Sequence, residues 1–338
     1  MKRLALALAV LMTPIASQAE TSRETIASVI DTHILPGFEQ LALSTKALSK
    51  QATDACDPTS ERLRASYHIA FDTWISANHL RFGPTEVEDR AFALAFWPDP
   101  RGVTPRTLQR LIATQDPVAK SVGDYAQVSI AARGFYALEF LLFDDAFLAT
   151  DAPEYHCTLV QTISADIAAT SQDILGNWTE TYANKMRNPS PDSLYQSNEE
   201  VLQELFKALS AGLQFTSETR LGRPLGTFDR PRAKRAEARR SARSSKHVTL
   251  SLKALNELAV ALSEADDVLS DKLDKGFKKA LAKLSDLNDP TFVSVSEPQT
   301  RIKVEVIQQS VDAVRAIVRA ELGPSLGVAA GFNSLDGD

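Results

Sequence analysis

The chain has 338 residues, with 37 Lys and Arg against 43 Asp and Glu, a formal net charge of -6 and only two cysteines. This acidic balance argues against nucleic acid as a partner and gives no reason to expect attraction to an anionic membrane. The length is enough to bury a sizeable core and, as a prior, suggests two domains.

The chain opens on Lys2 and Arg3, an apolar run from Leu4 to Met12, and the small-x-small pattern Ser17-Gln18-Ala19. This predicts a signal peptide over 1–19, too short in its apolar part to remain as a membrane span. No Cys sits at the cleavage point, so no lipid anchor is expected, and no later stretch is long enough for a transmembrane segment. The expectation is a periplasmic protein starting at Glu20, whose formal charge falls to -8 once Lys2 and Arg3 are removed.

From there the periodicity is helical. Ile26, Val29, Ile30, His33 and Ile34 follow an i, i+3, i+4, i+7 stripe, Tyr67, Ala70, Phe71, Trp74 and Asn78 mark a second face, and Leu255, Leu258, Ala259 and Leu262 a third. Val304, Ile307, Val311, Val314 and Val318 alternate spacings of three and four, a seam that suits a helix bundle. Helices are expected over 22–50, 59–81, 104–114, 119–148, 153–187, 196–220, 231–271, 273–286 and 297–322, with Pro36-Gly37 kinking the first. Thr291 to Ser296 is the one β-prone stretch, short and flanked by Pro290 and Pro298. The fold class read from this is all-α, two helical bundles packed against each other. Asn188-Pro189-Ser190-Pro191-Asp192 reads as the linker between an N-terminal bundle (20–188) and a C-terminal one (193–338).

In an oxidising compartment the isolated pair Cys56 and Cys157 is most simply one disulfide; the alternative is two buried thiols. The closed loop of about 100 residues would be worth up to roughly 4.7 kcal/mol in the chain-entropy picture.

One glutamate stands inside the most apolar run beyond the signal peptide, Gly134-Phe135-Tyr136-Ala137-Leu138-Glu139-Phe140-Leu141-Leu142-Phe143. A carboxylate there is costly unless paired, protonated or bound to a cation. Tyr136, three residues earlier, shares its helix face. Gly134 permits another backbone to approach closely. There is no His-Glu-x-x-His helix, no Gly-rich phosphate loop and no Gly-x-Ser-x-Gly elbow, and the five histidines lack metal-ligand spacing. Arg230 to Lys246 holds eight basic residues, read as a solvated helix face from which one or two arginines turn inward to buried carboxylates. The long irregular stretch from Phe82 to Pro105 is a further candidate for function.

Several segments together resemble the imelysin-like proteins, the peptidase M75 group. Gly134 to Glu139 resembles their Gly-x-His-x-x-Glu motif, with Tyr136 where the family has histidine. Phe71-Asp72-Thr73-Trp74 with Leu80-Arg81-Phe82-Gly83-Pro84, then Phe96-Trp97-Pro98-Asp99, resemble two further segments. Glu237-Ala238-Arg239-Arg240-Ser241-Ala242-Arg243-Ser244 resembles an Arg-Ser-x-x-Ser segment, and Gly331 to Asp338 the C-terminal signature. The resemblance implies an exported, all-helical protein of two halves linked to bacterial iron uptake, with its site where the halves meet. Neutral imidazole suits zinc and oxygen donors suit harder cations, so Tyr136 weakens the peptidase reading. It leaves iron or another metal ion on Glu139, or a polar site with no metal. The expectation is a non-catalytic protein holding an iron species or a cell-envelope uptake component. The alternatives are an M75-type metallopeptidase and a structural adaptor. Candidate site residues are Tyr136, Glu139, Trp97, Asp99, Arg81, Arg101, Arg133, Arg240, Ser241 and Ser244. The arginines are offered as partners for Glu139, whose carboxylate matches their planar fork.

Overall fold

The structure, a computed structural model, describes residues 13–328, with side chains from residue 20 onward. Residues 1–12 of the segment expected to be a signal peptide, and the tail from Gly331 to Asp338, lie outside the described residues. Among those described there is no strand; one isolated bridge joins Thr227 and Arg230. The long helices are α1 (Thr13–Val29), α2 (Leu35–Asp54), α3 (Glu61–Ala77), α4 (Val103–Thr114), α5 (Gly134–Phe143), α6 (Pro153–Asn177), α7 (Asn198–Gln214), α8 (Ser244–Leu262), α9 (Asp267–Leu287) and α10 (Pro298–Ile317).

Helices α2, α3, α5 and α6 pack together, and α7 to α10 form a second group. The two groups meet where α3 packs on α8. The apolar stripes explain this: Tyr67, Ala70, Phe71 and Trp74 of α3, Leu255 and Leu258 of α8, and the Val304-to-Val318 seam are all buried in one continuous core. Helix α1 packs on α7 and α8, so the first described helix lies against the second group. Cys56 and Cys157 form a disulfide, with Cα atoms 5.2 Å apart. It ties the residues just after α2 to the first turns of α6.

Three expected helices differ. The first is interrupted just before Pro36: the chain passes through a π-helical turn, Ile30–Ile34, and resumes α-helical bonding in α2, whose first turn holds Pro36. The stretch expected as 119–148 is a series of short turns before α5, because Gly134 has φ +73°, incompatible with a helix interior. Apart from one 3₁₀ turn, Ala233–Arg235, the stretch expected from 231 becomes helix only at Ser244. Ala238 and Ala242 lie in the left-handed region, at φ 45° and 55°, and leave a compact loop over 236–243. A helix would set Arg235, Arg239 and Arg243 above one another at like-charge spacings, whereas the loop lets each face its own surroundings. The β-prone Thr291 to Ser296 holds a single 3₁₀ turn, Val293–Ser296.

Candidate functional site

Helix α5 is almost wholly buried, and Gly134 shows why it begins where it does. A Cβ there would come within 2.2 Å of the Leu94 carbonyl oxygen and 2.3 Å of that of Ala93. The stretch before Trp97 is therefore pressed backbone-first onto the start of α5. The aromatic ring of Phe135 stacks on Phe71 of α3 at 4.7 Å between centroids, and Phe71 meets Tyr136 edge-on.

The loop over 236–243 closes on this helix from the other half. Glu139, 2 % exposed, accepts hydrogen bonds on Oε1 from the Ser241 backbone N–H (3.0 Å) and the Ser241 hydroxyl (2.8 Å). The Tyr136 hydroxyl donates to Glu237 Oε1 at 2.5 Å. Arg220 donates from Nε to Glu237 Oε2 at 2.7 Å, with both side chains almost fully enclosed. Arg220 Nη1 reaches the Ser251 hydroxyl, itself 2.9 Å from the Thr216 hydroxyl. His247 Nδ1 lies 3.3 Å from Glu237 Oε2. Ser244 donates its hydroxyl to the Glu237 carbonyl. Arg240 pairs with Asp144 at 2.6 Å and lies over the Phe140 ring, and Arg243 pairs with Asp72 of α3.

The electrostatics follow from this wiring. Burial alone would push the Glu237 carboxyl up, but the charges of Arg220 and His247 outweigh it and hold the group down at about 2. Burial and then the Glu237 charge push the Tyr136 phenol well above its ordinary range, so it remains a donor. A buried ion pair with hydrogen bonds on each partner is the arrangement that offsets the desolvation cost.

The cavity beside this wiring has a volume of about 220 Å³. Its wall includes Trp97, Asp99, Tyr136, Glu139 and Arg240, together with Arg223, Lys234 and Arg235. Trp97 stacks over Tyr136, with centroids 6.2 Å apart, and meets Phe215 edge-on. The Trp97–Pro98 peptide is cis. Asp99 is occupied: its two oxygens accept the N–H groups of Val103 and Thr104 and cap α4.

Of the sequence candidates, the structure brings Trp97, Asp99, Tyr136, Glu139, Arg240 and Ser241 to one place, with Ser244 just behind the loop. None of the four proposed arginines pairs with Glu139. Arg81 pairs with Glu86, its neighbour five residues on. Arg133 makes a two-pronged bond to Asp166 of α6 and donates to the Ala126 carbonyl. Arg101 is exposed outside the cavity wall, and Arg240 is taken by Asp144. A backbone N–H and a hydroxyl satisfy Glu139 instead.

Sequence reasoning missed Glu237, Arg220, His247 and Arg223. Glu237 carried a signal, as the single acidic residue among the eight bases from Arg230 to Lys246. Arg220 carried none; it is turned inward by the π-helical segment Phe215–Leu221, a wide turn that often marks functional positions.

The donor set does not fit a resident metal. Tyr136 keeps its proton for Glu237, one Glu139 oxygen is filled, and the side chains around them are basic. Among the described residues no group of three or more His, Cys, Asp or Glu side chains is placed to hold a metal ion.

The family model of imelysin, peptidase M75, matches residues 34–318. The chain belongs to the imelysin family. Solved structures agree on the fold. An imelysin-like protein from Psychrobacter arcticum 273-4 superposes with a TM-score of 0.79 at 20 % identity, covering 96 % of this chain and 100 % of that one. An iron-regulated protein A precursor from Parabacteroides distasonis ATCC 8503 gives 0.75 at 12 % identity, covering 89 % and 94 %. No curated protein matches the chain. In this imelysin-family member, the Tyr136 hydroxyl is committed to the Glu237 carboxylate.

Proposed function

We propose that this imelysin-family chain is an exported, non-catalytic binding protein of bacterial iron acquisition. It takes an iron species into the cavity beside Tyr136 and Glu139 as cargo, for delivery to a cell-envelope uptake component. The observation that carries this reading is where the cavity lies: the segments from Phe96, from Gly134 and from Glu237 all contribute to its wall. Membership of the imelysin family and the iron-regulated neighbour support the link to iron. The disulfide supports export, since such bonds persist in oxidising compartments, and no helix among the described residues is long and apolar enough to cross a membrane.

Two chemical features argue for binding over hydrolysis. A metallopeptidase needs a Lewis acid or a general base beside an open coordination position. Here the tyrosine is held protonated and Glu139 is half-occupied by Ser241. Incubation with a mixed peptide library, with and without zinc, is expected to leave the peptides intact; metal-dependent cleavage abolished by Glu139→Gln would reverse the ranking in favour of the M75 peptidase. A structural reading has its own support, because Tyr136–Glu237 and Glu139–Ser241 join the two halves. It is tested by asking whether a Glu139→Gln protein that melts like wild type still binds every iron species offered.

A further inference from the structure

We infer that the cavity takes its cargo as an anion: a carboxylate-rich chelator carrying a hydroxyl group, rather than a bare metal cation. This rests on the iron-binding reading above and sharpens it to a ligand class.

The wall contains four basic side chains, Arg223, Lys234, Arg235 and Arg240, against two carboxylates, Asp99 and Glu139. The carboxylates are engaged. Asp99 caps α4 with both oxygens, and Glu139 accepts twice from Ser241. Of the bases, only Arg240 has a carboxylate partner, Asp144. No salt bridge reaches Arg223, Lys234 or Arg235 among the described residues. Arg223 is the most telling of the three. Its Nε is enclosed and has no hydrogen-bond partner. Burial and the neighbouring Arg235 charge both disfavour its cation. A buried guanidinium nitrogen left unpaired costs free energy, and an anion entering the cavity would relieve that cost by drawing the Arg223 side chain round to it. Two adjacent guanidinium groups against one wall suit bidentate carboxylate recognition, whereas they repel a free ferrous or ferric ion.

The opposite chemistry lies at the Glu139 side. No protein hydrogen bond reaches Glu139 Oε2 among the described residues, so that oxygen can accept from a ligand hydroxyl. Trp97 and Phe140 also line the wall, and the guanidinium groups of Arg223 and Arg240 lie over their rings. Several cations and a single open acceptor on one cavity wall match a hydroxylated polycarboxylate. Such a molecule has two sources: the free acid, or its ferric chelate.

The experiment is calorimetric titration of the full chain with citrate, ferric citrate and anaerobic ferrous ion, each at low and high salt, for wild type, Arg223→Gln/Arg235→Gln and Glu139→Gln. Thermal melts report folding. Ferric citrate is expected to bind with an affinity that falls as salt rises. The double arginine variant, melting like wild type, should lose roughly a hundredfold or more, about tenfold for each charge-assisted bond removed. Lys234→Gln, an exposed position, serves if the double variant fails to fold, with a smaller loss in the same direction. Unchanged affinity in folded variants, or binding of ferrous ion alone, overturns the anion site while leaving the iron reading standing. Equal binding of iron-free and ferric citrate keeps the anion site and removes the iron reading. No binding of either citrate form overturns the proposal outright.

Discussion

Glu139 and Glu237 are both buried carboxylates at the seam, yet they should respond differently to mutation. Glu237 neutralises Arg220, which is enclosed on every side. Glu237→Ala leaves that guanidinium unpaired, and a loss of about 3–5 kcal/mol is expected by urea denaturation. Glu139 has no arginine, so Glu139→Ala leaves no buried charge unpaired; the two lost Ser241 bonds are partly offset by removing the carboxylate's own desolvation cost, a net loss of about 1.5–3 kcal/mol. A larger loss at Glu139 than at Glu237 would contradict this wiring. Sequence reasoning placed Glu139 as the residue needing compensation but assigned its partner wrongly. A loop from 102 residues away supplies the donors, and nothing near Glu139 in sequence encodes that.

The same residues set the acid behaviour, and the sign can be followed group by group. Glu237 has its carboxyl lowered to about 2, so its contribution is complete above the ordinary glutamate range and lost as pH falls from about 4.5 towards 2. His68, lowered to about 4 by burial and by Arg243, and His79, lowered by burial and by His33, act earlier. The unfolded chain takes up protons below about 6.5 that these native imidazoles refuse, so stability falls as pH drops from 6.5 towards 4. Denaturant midpoints measured from pH 8 to 2 are expected to decline in two stages; a flat profile from 6.5 to 4.5 would contradict the histidine part.

At the scale of elements, the loop over 236–243 is the piece that builds the site, and it is held in an unfavourable backbone. Left-handed conformations cost a non-glycine residue roughly 1–2 kcal/mol. Ala242 is exposed and packs against little, so Ala242→Gly is expected to raise stability by about 0.5–1 kcal/mol, read as a shift in thermal midpoint. A fall in stability would mean the loop carries no strain there. Gly134 is the opposite case. Gly134→Ala combines an unfavourable φ with a backbone contact that cannot move aside, and a loss of about 3 kcal/mol or more, or failure to accumulate folded protein, is expected. The glycine was legible in sequence as a point of close approach; the partner, the stretch ending at Leu94, was not.

Across the whole molecule, the disulfide should matter most, because it ties residues beyond α2 to α6 across about 100 residues. Reducing it is expected to lower stability by up to roughly 4.7 kcal/mol. Intact mass with and without reductant should differ by two hydrogens, and free thiols in the non-reduced protein would refute the pairing.

What the sequence determined by itself was periodicity, and through it the all-helical class. Stripes such as Ile26 to Ile34 and Val304 to Val318 repeat at helical spacing whatever they pack against, because the period belongs to the helix. The importance of the Gly134-to-Glu139 run was legible for a similar reason: a carboxylate in an apolar helix is a local contradiction. Only the tertiary structure decided how that contradiction is resolved. Arg81, Arg133 and Arg240 each found a carboxylate other than Glu139. The basic run of the second half, instead of forming a solvated helix, left Lys234 and Arg235 on the cavity wall and turned Arg240 and Arg243 to Asp144 and Asp72. Charge pairing has no period along the chain. It depends on which groups the packed helices bring within a few ångströms, and the closing of α8 onto α3 settles that.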